Sequence, residues 1–392
     1  MFARIVAVLA AMALAPVVAS AQEAQAGDLA TVEGKVDSLS EQYAETKIDV
    51  AGLKQLKLSG YLQARWAWQE AVRYNSVTTS NPSQNGFFIR RGRFKAAYDA
   101  GLSEYVVQID VTPSGVGIKE GYASVKLPYG LALDAGLQLF PFGYEVFARS
   151  SSDLDTLERS RVTRAFLGGE YELGLALRGK LSMVNFKVGV FNGNGIDGQS
   201  GKDNDQLKDV IGRAWVDYGV VTAGLSGWYG KTINYLRTPD KTYDRNRVAA
   251  DVQVFLDLLP IGGTAIKGEY MWGHTTIGSA NNGAGGNLPS LTSNAPVPTG
   301  SGWYGTIVQN ISDPFQLAVR YEQYMPNHTV DISAPTSTTV KVQQELQVAL
   351  HAYVGGNYKI TAAYWHPMNG EKGAAASDPK QDQIVLQAQA KF

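Results

Sequence analysis

From Leu56 to the C-terminus, apolar and polar residues alternate with a period of two, the signature of strands with one apolar and one polar face. In "LKLSGYLQARWAWQE", Leu56, Leu58, Gly60, Leu62, Ala64, Trp66 and Trp68 share one face. Lys57, Ser59, Tyr61, Gln63, Arg65 and Gln69 share the other. Tyr105, Val107, Ile109 and Val111 alternate with Glu104, Gln108, Asp110 and Thr112, and Leu346, Val348 and Leu350 with Glu345, Gln347 and His351. The last run sets Ile384, Leu386, Ala388, Ala390 and Phe392 against Gln383, Gln387, Gln389 and Lys391. About sixteen such segments start near residues 56, 87, 104, 116, 131, 168, 183, 208, 221, 245, 263, 302, 315, 339, 357 and 382. Many reach the ~9–11 residues that a tilted strand needs to cross a bilayer.

The connections alternate as well. "DAGLS" at Asp99, "LPYG" at Leu127, "SDP" at Ser312 and "GGN" at Gly355 are tight. The stretches 73–86, 141–167, 192–206, 275–300 and 369–381 are long. Short turns at one rim and long loops at the other predict an all-β, transmembrane outer-membrane β-barrel of about sixteen antiparallel strands over 55–392. A propeller would repeat a blade motif, and none is found. A soluble sandwich needs no aromatic belt, whereas Trp66/Trp68, Trp228/Tyr229, Tyr270/Trp272 and Tyr364/Trp365 cluster near strand ends, where a barrel meets headgroups. The terminal Phe392, in phase with the apolar face, fits a barrel-closing strand.

Ahead of the strands the period is heptad. Leu29, Val36, Tyr43 and Val50 occupy position a, and Val32, Leu39, Thr46 and Leu53 position d. A periplasmic coiled coil over 22–54 and an oligomer follow as the expectation, with a single amphipathic helix as the alternative. Residues 1–21 read as a signal peptide: Arg4, an apolar core, then the Ala19-Ser20-Ala21 cleavage site.

The charges nearly balance, with 35 Lys+Arg against 36 Asp+Glu, which argues against a nucleic-acid partner. With no cysteine, disulfides, thiolate metal sites and cysteine nucleophiles are excluded. His274, His328, His351 and His366 form no metal motif and read as loop or lumen side chains; no cofactor is expected. The acid pairs "DLD" (Asp153, Asp155) and "DND" (Asp203, Asp205) read as solvated loop residues or as a weak cation site.

One strand is unusual. In "FFIRRGRFK", Phe88 and Phe94 share a face with Ala96 and Tyr98, while Arg91, Arg93 and Lys95 share the other, ~7 Å apart. On a water-filled lumen these charges need no burial and form a ladder on which an anion can step. The equal alternative is that the basic wall balances an acidic loop across the pore. Arg90 falls on the lipid face, where it can snorkel to headgroups. Arg65, Arg178 and Arg213 are assigned to the same pore-lining anion path.

The chain resembles the phosphate-selective porin O and P family. The likeness is carried by "FFIRRGRFK", "GLQLFPFGYE" from Gly136, "SSSDLDTLERSR" from Ser150, "LGLALRGKL" from Leu173 and "VGVFNGNG" from Val188. It implies a sixteen-stranded trimer passing small anions, its long loop after the fifth strand folded inward as the constriction. Here that loop, 141–167, carries Arg149, Arg159, Arg161 and Arg164 with Glu145, Asp153, Asp155 and Glu158. The mixture departs from a purely basic eyelet, so phosphate, another small anion or a mixed solute stays open. The expected partners are outer-membrane lipid and lipopolysaccharide, small anionic solutes, further copies in a homotrimer, and the barrel-assembly machinery through Phe392. The competing readings are a general non-selective porin and a structural anchor tethered through its coiled coil.

Overall fold

The described residues of the computed structural model are 38–44, 46–47, 52, 54–69, 84–167, 169–193, 195, 206–234, 241–274, 299–325, 328, 342–368 and 382–392. The chain divides into two units, Met1–Leu56 and Lys57–Phe392. In the first, residues 38–44 and 46–47 are helical, with the heptad residues Leu39 and Tyr43 exposed. The expected signal peptide and most of the heptads lie outside the described residues.

The second unit is built on strands. In chain order they are β1 (Leu56–Gln69), β2 (Gln84–Asp99), β3 (Ser103–Thr112), β4 (Gly115–Lys126), β5 (Ala132–Leu139) and β6 (Tyr171–Leu181). Then come β7 (Val184–Phe191), β8 (Asp209–Tyr218), β9 (Val221–Tyr229), β10 (Lys231–Asn234), β11 (Lys241–Asp244) and β12 (Arg247–Leu259). The last are β13 (Gly262–His274), β14 (Thr299–Ser312), β15 (Phe315–Met325), β16 (Gln343–Val354), β17 (Tyr358–Pro367) and β18 (Gln383–Lys391). Sixteen of them close into one barrel, and β10 and β11 pair as a separate hairpin. Each predicted segment matches a barrel strand, with starts within a few residues. The four predicted tight turns fall on one rim and the long connections on the other, where the two-residue β3–β4 turn is the exception.

The pleat sorts the side chains as the period demanded. On the outside, Leu62, Tyr105, Val107, Val188, Val190, Val248, Ile307 and Leu386 are exposed. On the inside, Gln63, Arg65, Glu120, Lys187, Arg247, Gln253, Glu345 and Gln347 are buried. Closed strands satisfy their own backbone groups, so the apolar exterior can face lipid.

Closure is specified by the two chain ends of the barrel. Strand β1 pairs with β18 from Tyr61↔Lys391 to Gln69↔Gln383, and Gly60 and Phe392 exchange backbone hydrogen bonds at 3.1 and 3.0 Å. A Cβ on Gly60 would meet the Arg93 carbonyl at 2.4 Å and the Phe392 ring at 2.6 Å, so the seam needs glycine there. The Phe392 ring lies 6.4 Å from that of Phe94 on the outer face.

The aromatic belt is smaller than expected. Tyr229, Tyr270, Trp272 and Tyr364 are exposed, but Trp228 is buried inside and donates its indole N–H to Asp209 at 2.9 Å. Trp365 also faces in, because it shares strand parity with the inward Ala363 and Thr361.

Candidate functional site

The long connection between β5 and β6, the expected constriction loop, folds into the lumen. It contains two short helices, α1 (Tyr144–Phe147) and α2 (Arg161–Leu167). Phe140, Phe142, Val146, Val162, Phe166 and Leu167 are almost fully buried. They pack on inward-facing Ala176, Phe191, Ile211, Trp228, Ala249, Met271 and Tyr324. The lumen wall is therefore not uniformly polar: one part of it offers the loop an apolar seat, worth ~1.5–3 kcal/mol for each fully buried large side chain. Gly302 makes room for Val162, whose methyls would lie 2.8 Å from a Cβ there.

Charges hold the rest of the loop, and they divide by wall. Against β1 and β2, the single carboxylate of Glu158 meets Arg65 at 2.6 Å, Arg90 at 2.7 Å and Arg91 at 2.8 Å. Arg65 also donates to Gln387 and to the Leu157 carbonyl, and Arg91 to Gln63. Burial alone would raise the Glu158 carboxyl, but Arg91, Arg65 and Arg90 outweigh it and hold it well below the usual carboxylate range. Beside it, Arg159 bonds Glu170 at 2.7 Å. Burial raises Glu170 too, but Arg159, with Arg93 and Arg91 behind it, brings it down to about 2.

Against β13, β15 and β16 the wall offers both signs. Glu269 accepts from the backbone N–H of Tyr144 and from the hydroxyl of Tyr304, both at 2.8 Å. Glu322 accepts from the Arg161 N–H at 2.9 Å, and Arg161 reaches Gln343 and Glu345 at 3.0 and 3.1 Å. Glu145 pairs with Arg320 at 2.6 Å and takes bonds from the Ser160 N–H and the Thr163 hydroxyl. The mixed loop is thus complementary to a basic wall on one side and a mixed wall on the other.

The remaining predicted residues have definite places. Arg93 donates to the Tyr171 hydroxyl at 2.7 Å and lies 3.6 Å from Asp110. Lys95 meets Glu120 at 2.6 Å. Arg178 bonds Asp134 at 3.1 Å on a half-exposed side chain, and Arg213 is buried against Asp251. Arg149 bonds Asp155 and the Asp153 carbonyl; Asp155 also meets Lys267 at 2.8 Å, and Asp153 meets Lys391 at 3.1 Å. Arg164 is exposed and donates to the Arg159 carbonyl at 3.1 Å. The "DLD" acids therefore serve wall cations. The "DND" acids lie outside the described residues. His351 bridges Thr361 and the Asp155 carbonyl inside the lumen.

Arg90 differs from expectation. It bonds Glu158 instead of turning to lipid, at a place where β2 runs beyond its pairing with β3. The β2–β3 ladder begins only at Arg93↔Asp110, and the Gly92 N–H donates to the Asp110 carboxylate at 3.0 Å. Two consecutive arginines can then reach one acid. Sequence reasoning also missed Glu120, Lys267, Glu269, Arg320, Lys359 and Lys391. Each is a charge at a polar-face position of an alternating strand, and strand parity alone would have put them in the lumen.

Two open cavities flank the loop. One, of about 250 Å³, lies against β1, β2, β3, β4 and β6; its lining includes basic Arg93, Lys95, Arg149, Arg159 and Lys391 but only two acids, Glu120 and Asp153. The other, of about 750 Å³, opens at the turn rim, with Arg149, Lys267, Lys359 and Lys391 among its lining.

No family model matches the chain, and no curated protein matches it. Solved structures do. An anion-selective porin from Comamonas acidovorans is 11% identical, with a TM-score of 0.58 over 86% of this chain and 99% of that one. The outer membrane channel DcaP of Acinetobacter baumannii is 13% identical, with a TM-score of 0.61 over 86% and 97%. In-vitro folded OmpT of Vibrio cholerae, in a trimer form, is 12% identical, with a TM-score of 0.54 over 86% and 99%. An apolar exterior and a polar interior, on the closed sixteen-stranded fold of the outer-membrane porins, place this barrel in a bacterial outer membrane.

Proposed function

We propose that the chain is a passive diffusion porin for small solutes that prefers anions, and that it works as a homotrimer. The observation that carries the preference is the cavity beside the constriction loop, where five basic residues face two acids, an excess of three positive charges. A cavity of this volume is about 6 Å across, inside the ~10 Å Debye length of 0.1 M salt, so its charges act together on a passing ion. Acids behind the lining balance part of this excess, Glu170 on Arg159, Asp155 on Arg149 and Asp110 on Arg93; what supports the preference is that Lys95, Arg149 and Lys391 are each more exposed than the acid that pairs with them.

The motif likeness to phosphate-selective porins extends the reading to phosphate as one candidate solute. The trimer form of the Vibrio cholerae protein, on the same fold, supports the trimer here. So do the exposed Leu39 and Tyr43, one helical turn apart in the heptad segment.

Zero-current potential across a salt gradient tests the preference. The wild type should favour chloride over potassium, and Lys95→Gln combined with Arg149→Gln should reduce that bias. A cation-selective wild type overturns the anion preference. Absence of any conductance in a planar bilayer overturns the channel and favours the anchor.

A further inference from the structure

We propose that the channel discriminates among anions, favouring single-ring aromatic carboxylates over aliphatic acids of the same charge and over inorganic phosphate. This rests on the anion preference above and deepens it.

The observation is a group of aromatic rings on lumen-facing positions. Trp215 on β8 and Phe255 on β12 point inward. Around them the same faces carry Arg213, Asp217, Asp251 and Gln253. Phe255 is 48% exposed, an apolar ring on the polar-facing parity of its strand. Phe147, at the end of α1, packs edge-on to Trp215 with ring centroids 5.5 Å apart. Together with Tyr144 these rings line a cavity of about 280 Å³. An apolar cavity of ~150 Å³ holds a benzene ring, so a single substituted ring fits. A ring left in water is unfavourable by itself; stacking a solute ring on it removes apolar surface from water on both partners.

The charges stand next door. Phe147 and Ala148 line both the aromatic cavity and the basic one, and Arg149, the next residue, lines the basic cavity and the turn-rim cavity. Three consecutive residues of the constriction loop therefore divide an aromatic compartment from a cationic one. A solute with a ring at one end and a carboxylate at the other can engage both. On the ring side Arg213 is buried and held by Asp251, whereas Asp217, which accepts from Thr222 at 2.8 Å and Asn185 at 3.1 Å, is exposed and repels a carboxylate there. The acid group is thereby directed to Lys95 and Arg149. Inorganic phosphate and acetate meet the same cations but gain nothing from the rings.

The test uses the full-length protein in a planar bilayer, with benzoate, cyclohexanecarboxylate, acetate and phosphate as probes. Interruption of the chloride current should set in for benzoate at a roughly 3- to 10-fold lower concentration than for acetate, the discrimination that one aromatic contact supplies. Phe255→Ser should bring the benzoate-to-acetate ratio toward one, and Trp215→Ser should do the same. Phe255 is half exposed, and its backbone pairing with Ala265 does not depend on its ring, so that variant keeps the barrel if Trp215→Ser fails to fold. Equal action of benzoate and acetate on an anion-selective wild type overturns the discrimination and leaves the anion preference standing. Equal action of benzoate and cyclohexanecarboxylate overturns the aromatic requirement. A cation-selective wild type overturns this inference together with the reading beneath it.

Discussion

Replacing Glu158 by Gln removes the one carboxylate on which Arg65, Arg90 and Arg91 converge. Arg65 and Arg91 are nearly buried, so losing their counter-charge should cost ~3–5 kcal/mol, as when one partner of a buried pair is deleted. Arg90 is more exposed and adds little. Against this stand six buried apolar side chains of the loop, Phe140, Phe142, Val146, Val162, Phe166 and Leu167. At ~1.5–3 kcal/mol each, their gross burial exceeds the loss before loop ordering is subtracted. The loop should therefore stay seated at α1 and α2 and loosen between them, around 149–160. The barrel itself, held by its closed ladder, should keep its thermal transition. In single-channel recordings Glu158→Gln should show added open-channel noise, and its reversal potential should move further toward chloride because one negative charge has gone. Glu158→Asp should restore part of the quiet state. A Glu158→Gln channel as quiet as the wild type, with an unchanged reversal potential, refutes the anchoring role.

Four further outcomes follow from the same contacts. Gly60→Val should lower the heat-induced unfolding temperature seen by gel mobility, because its side chain enters the space of the Arg93 carbonyl and the Phe392 ring; an unchanged midpoint would refute the tight seam. Changing Arg91, Arg93 and Lys95 together to Gln should reduce chloride preference and add noise, since Arg91 is both pore wall and loop anchor. Glu170 is held at about 2, below its unfolded value near 4.5. Its contribution is thus complete above about pH 4.5 and lost as pH falls through about 2. The difference in melting temperature between wild type and Glu170→Gln should stay constant down to that upper limit, and its collapse near pH 6 would contradict the assignment. Deleting residues 22–54 should leave inserted barrels, because spanning strands satisfy their own backbone; failure to insert would make the heptads part of assembly.

Strand number and inward face were legible because a pleat has an integral period of two, so parity carries over many residues. The same rule explains the misreadings. Trp228 and Trp365 were grouped by closeness to strand ends, although each has inward parity, Trp228 with Ser226 and Trp365 with Ala363. Parity gives Arg90 the lipid face, but a long side chain beyond the β2–β3 ladder can still reach a lumen acid. Pairing partners were not legible at all. Arg65 and Glu158 are 93 residues apart, and Arg320 and Glu145 are 175 apart. No local pattern states which wall a loop acid will meet.

The mixed sign of the constriction loop was the main obstacle to a functional reading, and the walls resolve it. A loop crossing a lumen between a basic wall and a wall of mixed sign needs both signs simply to be held. Glu158 answers the arginines of β1 and β2, and Glu170 answers Arg159 within the loop; Arg161 answers Glu345, and Arg320 on the far wall answers Glu145. Charges used in this way are largely neutralised and contribute little to the field in the pore. What acts on a solute is the remainder, and that remainder is read from the open space rather than from the loop's composition. Beside the loop Lys95, Arg149 and Lys391 are paired as well, with Glu120, Asp155 and Asp153, but each cation is more exposed than the acid that holds it, so the side turned to water is basic. A count of charges along 141–167 predicts no selectivity, whereas the charges that still face water predict an anion path.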